Sequence, residues 1–158
     1  NIGEPNKLFK ILSDGELKQI QLSNGLEPFG LGTGAAVADI DNDGVLELLV
    51  SHGESGQQPL SLYKANIDSS SRFVRILPKT AFNAPARGVT VILNTNMRNH
   101  AKTIDAGSGY LCQMEPVAHY GLRKNEKVKS VTIKWTDGSS DNFKINQLNK
   151  TYVFSKDI

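Results

Sequence analysis

Four carboxylates fall within nine residues of this chain. The run Asp39-Ile-Asp41-Asn-Asp43-Gly44-Val45-Leu-Glu47 carries them at positions one, three, five and nine, with glycine at position six. Like charges held this close repel one another in a folded loop, and no packing requirement asks for them. A hard divalent cation removes the repulsion. Calcium takes six to eight oxygen ligands at about 2.3–2.6 Å, which a flexible, carboxylate-rich loop supplies. The expected ligands are the side chains of Asp39, Asp41, Asp43 and Glu47 and the main-chain carbonyl of Val45. Gly44 allows the sharp bend, because a residue without Cβ reaches positive φ without steric cost. The competing reading is an acidic surface turn of the Asp-Gly type.

The flanks decide what kind of calcium loop this is. A helix–loop–helix calcium site needs a bidentate glutamate at position twelve and a helix on each side. Position twelve here is Val50. The upstream Gly34-Ala-Ala-Val-Ala and the downstream Leu46-Glu-Leu-Leu-Val-Ser read as strands, the second a short apolar run of the kind that buries. The ion is therefore expected in a turn between two strands, as a structural clip and not a switch that opens helices.

The elements around that turn repeat one style. Leu8 to Leu22 reads as a hairpin about Asp14-Gly15. Leu60-Ser-Leu-Tyr-Lys-Ala alternates as a strand, and Phe73-Val-Arg-Ile-Leu and Val89-Thr-Val-Ile-Leu are apolar and β-branched. Val131, Ile133 and Trp135 share one side of a strand, Asp137-Gly138 turns the chain towards Phe143-Lys-Ile145, and Thr151-Tyr-Val-Phe154 is placed to close a sheet. No capped helical periodicity stands out, so the fold class is all-β. The polar stretch Asn66 to Ser71 marks a boundary that divides the chain into residues 1–70 and 71–158. Charge divides at the same place. Residues 1–70 hold four Lys/Arg against ten Asp/Glu, net −6, and residues 71–158 hold fourteen against six, net +8. Halves of opposite sign are expected to attract one another.

Other residues able to do chemistry are scattered. His52, His100 and His119 accompany no metal-protease, nucleophile-elbow or paired-cysteine pattern. His119 sits in an apolar stretch and reads as a packed histidine, His52 as a loop-binding one, and Trp135 as core. Cys112 is the single cysteine, which excludes a scaffold stapled by its own disulfides; the expected state is a buried free thiol. Arg123, Lys124, Lys127, Lys129 and Lys134 form a basic stretch, either a solvated face or a patch for a sulfated glycan. It lacks the interleaved aromatics that stack bases, so nucleic acid is not an expected partner. No run of eighteen apolar residues occurs, so membrane insertion is not expected. The first residue is not methionine and no signal peptide is visible, as expected of a mature product or an excised piece. Asn149-Lys-Thr151 matches the N-glycosylation sequon, which makes Asn149 a glycosylation candidate.

Two stretches resemble known families. Phe29-Gly30-Leu-Gly32-Thr-Gly34-Ala-Ala-Val-Ala-Asp39-Ile-Asp41-Asn-Asp43-Gly44 resembles the FG-GAP or VCBS repeat, with Glu47 where aspartate is more usual. Ala106-Gly107-Ser-Gly109-Tyr110-Leu-Cys-Gln113, His119-Tyr-Gly121-Leu122 and Trp135-Thr-Asp-Gly138 resemble the ASPIC/UnbV domain. Together with Ser51-His-Gly-Glu-Ser55 they resemble the C-terminal region of the cartilage acidic protein (LOTUS) family over nearly the whole chain. The resemblance implies a propeller-like blade with a calcium loop, packed beside a small ASPIC/UnbV β-sandwich or barrel. It implies a secreted, extracellular glycoprotein of matrix or neural surfaces, a non-enzymatic recognition module whose Ca2+ is structural. Its partner would be a cell-surface receptor or matrix component, and antagonism of the Nogo receptor is associated with vertebrate members. The rival readings are a carbohydrate-binding module and an accessory domain of a hydrolase.

Overall fold

A computed structural model describes residues 4–12, 14–21, 27, 31–53, 56–66, 72–110 and 112–157. Among them the regular structure is all strand. In chain order these are β1 (Leu8–Ile11), β2 (Leu17–Ile20), β3 (Gly32–Ala38), β4 (Glu47–His52), β5 (Ser61–Lys64) and β6 (Arg72–Lys79). There follow β7 (Thr90–Thr95), β8 (Asn99–Thr103), β9 (Ala118–Leu122), β10 (Val128–Lys134), β11 (Ser140–Phe143) and β12 (Lys150–Ser155). They form a β1–β2 hairpin, an antiparallel β3–β4–β5 meander, a four-stranded sheet β11–β10–β7–β8 and a three-stranded sheet β12–β6–β9.

The last two sheets face one another as a sandwich. Val91 and Leu93 of β7 alternate inward with Val131 and Ile133 of β10, and they meet Val74 and Ile76 of β6 and Ala118 and Tyr120 of β9. Side chains with a period of two deliver one face of each strand to the core, which is why strict alternation built these sheets. Trp135 is buried at the margin of this core, where its indole N–H donates to Asp141 Oδ2 at 2.6 Å. Neither sheet closes on itself, so the second half is a sandwich and not a barrel.

β6 departs from alternation because both of its faces are covered. Val74 and Ile76 point into the sandwich, while Phe73 and Arg75 point the other way and are also buried. That second face receives the 39–44 loop from the first half. Gly44 has φ of 86°, and a Cβ there would come within 2.0 Å of Phe73 Cε1. Only glycine satisfies both the left-handed backbone and the close approach. A second close approach joins the halves at β3, where a Cβ on Gly34 would lie 2.5 Å from Cys112 Sγ and 2.9 Å from the Tyr110 carbonyl. Cys112 itself is a free, half-buried thiol, less enclosed than its apolar character suggests, because it lies in the exposed 109–112 bridge.

The first half buries little of its own. All four residues of β1 and all four of β2 are exposed, as are Leu49, Leu60 and Leu62 about the meander. The hairpin turn is the expected one, with Gly15 at φ of 89° and Asp14 Oδ1 accepting from Glu16 N at 3.0 Å. The expected loop at 23–33, the 67–71 part of the boundary stretch and the Phe29-Gly30 start of the repeat-like motif lie mostly or wholly outside the described residues.

Candidate metal centre

Strand register assembles the acidic site before any side chain is considered. Ala38 pairs with Glu47 at the end of β3–β4, so Asp39 leaves the sheet beside Glu47. Glu47 pairs in turn with Lys64 of β5, and directly opposed residues project from the same face. The loop between is wound by its own carboxylates. Asp39 Oδ2 accepts from Gly44 N at 3.1 Å, Asp41 Oδ1 from Asp43 N at 3.3 Å, and Asp43 Oδ1 from Val45 N at 2.8 Å. Glu47 Oε2 closes the turn by accepting from Ile40 N at 2.8 Å. Asn42, at φ of 61°, supplies the other left-handed step.

The winding leaves oxygens directed inward. One carboxylate oxygen from each of Asp39, Asp41 and Asp43 lies within 4.8 Å of the others. Oxygens bound to one calcium at about 2.3–2.6 Å are at most about 5 Å apart, so the spacing suits the ion. Asp39 and Glu47 are buried, at 4% exposure each, while Asp41 and Asp43 are open to solvent. Asp39 Oδ1 is buried without a hydrogen-bond partner, and the buried Glu47 Oε1 is met by the Lys64 ammonium at 3.1 Å. Buried anionic oxygens left unsatisfied are costly and call for a cation.

Two cations of the chain already face the loop. The Lys64 ammonium lies 2.6 Å from Asp41 Oδ2, 2.6 Å from Asp43 Oδ2 and 3.1 Å from Glu47 Oε1. Hydrogen bonds to Asp41 and Asp43 hold this ammonium well above the usual lysine range, and Lys64 in turn lowers Asp43. Arg75 comes from the other half of the chain. Its guanidinium bonds Asp39 Oδ2 at 3.0 Å, Glu115 Oε2 at 2.5 Å and Asn42 Oδ1 at 3.1 Å, and Glu115 Oε1 accepts from Asp39 N at 3.3 Å. Among the described residues, Asp39, Asp41, Asp43, Glu47 and Glu115 thus face only Lys64 and Arg75, an excess of three negative charges. The residues fit a divalent cation: Asp39, Asp41, Asp43 and Glu47 would hold it, and it would supply the missing positive charge.

His52 and His100 are engaged elsewhere, while His119 lies across from Arg75 at the margin of the acidic site. His52 places Nε2 2.7 Å from Glu27 Oε2 and Nδ1 2.8 Å from the Pro59 carbonyl. Burial pushes the Glu27 carboxyl up, but hydrogen bonds from Ser61, Tyr63, His52 and Asn6 outweigh it and hold Glu27 at about 2. The Glu27 bond raises His52 in return. His100 Nε2 lies 2.8 Å from Glu126 Oε1, in a fully buried carboxylate cluster completed by Arg98, Thr95 and the Arg123 N–H. His119 stacks on Phe73 with ring centroids 5.7 Å apart; burial and then the nearby Arg75 charge lower it. With both nitrogens of His52 taken, it has none free to act as a base towards a nucleophile. A cavity of about 260 Å³ between Phe82, Trp135 and Lys156 is lined by no histidine.

The remaining expected residues are placed as follows. Arg123, Lys124, Lys127, Lys129 and Lys134 are all exposed. Asn149 is exposed at φ of 55°, with Oδ1 accepting from Phe73 N at 3.0 Å and its own N–H donating to Phe73 O at 2.8 Å. Among the described residues no helix is long and apolar enough to cross a membrane. Sequence reasoning missed Lys64, Arg75, Asn42 and Glu115 as parts of the acidic site. A lone arginine inside an apolar strand was the available signal for Arg75.

The model of the ASPIC and UnbV family matches residues 79–157. Cartilage acidic protein 1 of Mus musculus and of Homo sapiens is each 46% identical over 138 residues, which is 84% of this chain and 21% of theirs. That of Xenopus tropicalis is 44% identical over the same share. The chain therefore spans about a fifth of the length of the curated relatives it matches. A match over 84% of the chain necessarily includes the acidic loop, which the family model does not reach. By the span of that model, through the sandwich to the final strand, the chain belongs to the ASPIC and UnbV family.

Proposed function

We propose that this chain is an extracellular, non-enzymatic recognition module in which calcium clips an FG-GAP or VCBS-type, propeller-like segment (residues 1–70) to an ASPIC/UnbV domain (residues 71–158). The observation that carries the calcium reading is the buried, unpartnered Asp39 Oδ1, beside a buried Glu47 Oε1 met by Lys64, in a loop with surplus negative charge. Ligation by Asp39, Asp41, Asp43, Glu47 and the Val45 carbonyl removes both penalties at once. The ion's role is structural, as a clip between the loop and β6, where Arg75 holds Asp39 and Phe73 meets Gly44. Similarity to cartilage acidic protein 1 supports a secreted, matrix-facing setting and a protein partner, a cell-surface receptor or a matrix component. In that setting Asn149 is a glycosylation site, and receptor antagonism is tested by binding to the homologous receptor's ectodomain.

Calorimetric titration tests the metal site. Calcium binds with a Kd on the order of 10⁻⁴–10⁻³ M, the range of extracellular modules. It raises the melting temperature, because a ligand held only by the native state stabilises it. Asp41→Ala loses both effects. Equal melting with saturating calcium and with chelator refutes the site. The five exposed basic residues between Arg123 and Lys134 favour a second partner, a sulfated glycan. Retention on heparin at moderate salt, abolished by reversing three of those charges, is its test.

A further inference from the structure

We propose that Lys64 is a built-in counter-ion of the acidic loop, and that a divalent cation binds by expelling its ammonium into solvent. This inference rests on the calcium reading and adds the site's regulation.

The geometry distinguishes Lys64 from Arg75. Lys64 contacts Asp41 Oδ2, Asp43 Oδ2 and Glu47 Oε1, carboxylate oxygens of three of the four side chains that would hold a metal. An ammonium within 3.1 Å of all three and a metal at about 2.3–2.6 Å from the same atoms would occupy the same space. They would also repel as two cations. Arg75 presents no such conflict. It holds Asp39 by Oδ2, shared with the Gly44 N–H, and leaves the buried Asp39 Oδ1 free to face the ion. Its side chain is 5% exposed and pinned by Glu115 and Asn42, whereas that of Lys64 is 39% exposed. A lysine stem of four methylenes on an edge strand swings outward at little cost, and its ammonium is strongly hydrated once free. The loop therefore keeps one permanent cation and one exchangeable one. Without metal, Lys64 prevents the carboxylates from splaying. With metal, it leaves, and its departure sets the concentration at which calcium fills the loop.

The test compares the parent chain with Lys64→Gln and Lys64→Met, with backbone amide NMR spectra establishing that each is folded. Calcium titrations of both variants give affinities on the order of tenfold tighter than the parent, since expulsion of a competing, partly exposed ion-pair network is no longer needed. In chelator the variants melt below the parent, and the calcium-induced rise in melting temperature is larger. A second readout uses the parent alone. Acylation of Lys64 by a water-soluble succinimidyl ester, followed by mass spectrometry, becomes several-fold faster when calcium is added. Equal or weaker calcium affinity in the variants, with acylation of Lys64 unchanged by calcium, overturns the exchange while leaving the calcium site in place. Absence of calcium binding by the parent and both variants at 10 mM overturns the site itself. Binding by the variants alone supports a lysine that holds the loop closed.

Discussion

Replacing Arg75 by methionine tests whether the acidic loop is what joins the two halves. The guanidinium is almost wholly buried and reaches Asp39 at 3.0 Å, Glu115 at 2.5 Å and Asn42 at 3.1 Å. Methionine fills the volume of the stem, so little of the effect comes from a cavity. What remains is a buried Asp39 carboxylate bonded by Oδ2 to the Gly44 N–H alone, with Oδ1 still unpartnered. Removing one partner of a buried pair costs about 3–5 kcal/mol. Glu115 keeps partial access to water, which places Arg75→Met near the lower end, about 3 kcal/mol. That is a large share of a total stability of roughly 5–15 kcal/mol. Calcium offsets part of the loss, since ten times the Kd stabilises the native state by about 1.4 kcal/mol. The gain is larger in the variant, whose loop is more negative by one charge. Urea unfolding in chelator and in calcium measures both quantities from the midpoint and slope. Combining Arg75→Met with Asp39→Asn gives the coupling energy, expected within about 0.5–3 kcal/mol for residues in contact. A loss below about 1 kcal/mol in chelator, or additivity of the two substitutions, refutes the reasoning.

Gly44→Ala meets two obstacles together. The left-handed backbone costs roughly 1–2 kcal/mol and the clash with Phe73 another 1–3 kcal/mol, so a loss of about 2–5 kcal/mol is expected in thermal or urea unfolding. A neutral outcome would mean that the loop does not rest on β6. The Glu27–His52 pair predicts a stability window for β4 and β5. Glu27 is held at about 2 against an ordinary 4.5, so its contribution is present above pH 4.5 and lost as pH falls towards 2. His52 is raised above its ordinary 6.5, so its contribution is complete below 6.5 and lost as pH rises through the raised value. Amide exchange in β4 and β5, corrected for intrinsic rates, is slowest between those limits, and His52→Gln removes the alkaline loss. Protection that stays flat above pH 6.5 in the parent counts against the pairing.

The acidic loop was readable because its chemistry is local. Four carboxylates, a glycine and two flanking apolar runs lie within a few turns of chain, and each flank became a strand as expected. The sandwich strands with strict alternation, β7 and β10, were equally plain. Two strands were missed. β8 is the polar Asn-His-Ala-Lys-Thr on a sheet edge, and β9 carries a glycine, so neither shows the apolar period that reveals a strand. The cations that compensate the loop were hidden for another reason. Lys64 reaches it through the β4–β5 register and Arg75 through packing of one half on the other, neither of which local pattern specifies. The opposite charges of the halves, −6 and +8, foretold attraction without naming the residues. His52 and Trp135 took the loop-binding and core places that their neighbours implied.

β12 lies parallel to β6, with Lys150 beside Val74 and Ser155 beside Lys79. Parallel neighbours cannot be joined by a tight turn, and here seventy-six residues separate Val74 from its partner. As the polypeptide emerges from a ribosome, β6 must wait for nearly everything after it before one of its edges is satisfied. Arg75 sits on that strand, so the clamp on the acidic turn forms late, after closure of a long and entropically slow loop. Until then the turn is a bare anionic knot with only Lys64 for company. On the proposed reading of a secreted calcium clip, calcium in the secretory lumen would meet it in that unfinished state, where an early-bound ion would guide the order of assembly as well as fasten the folded chain.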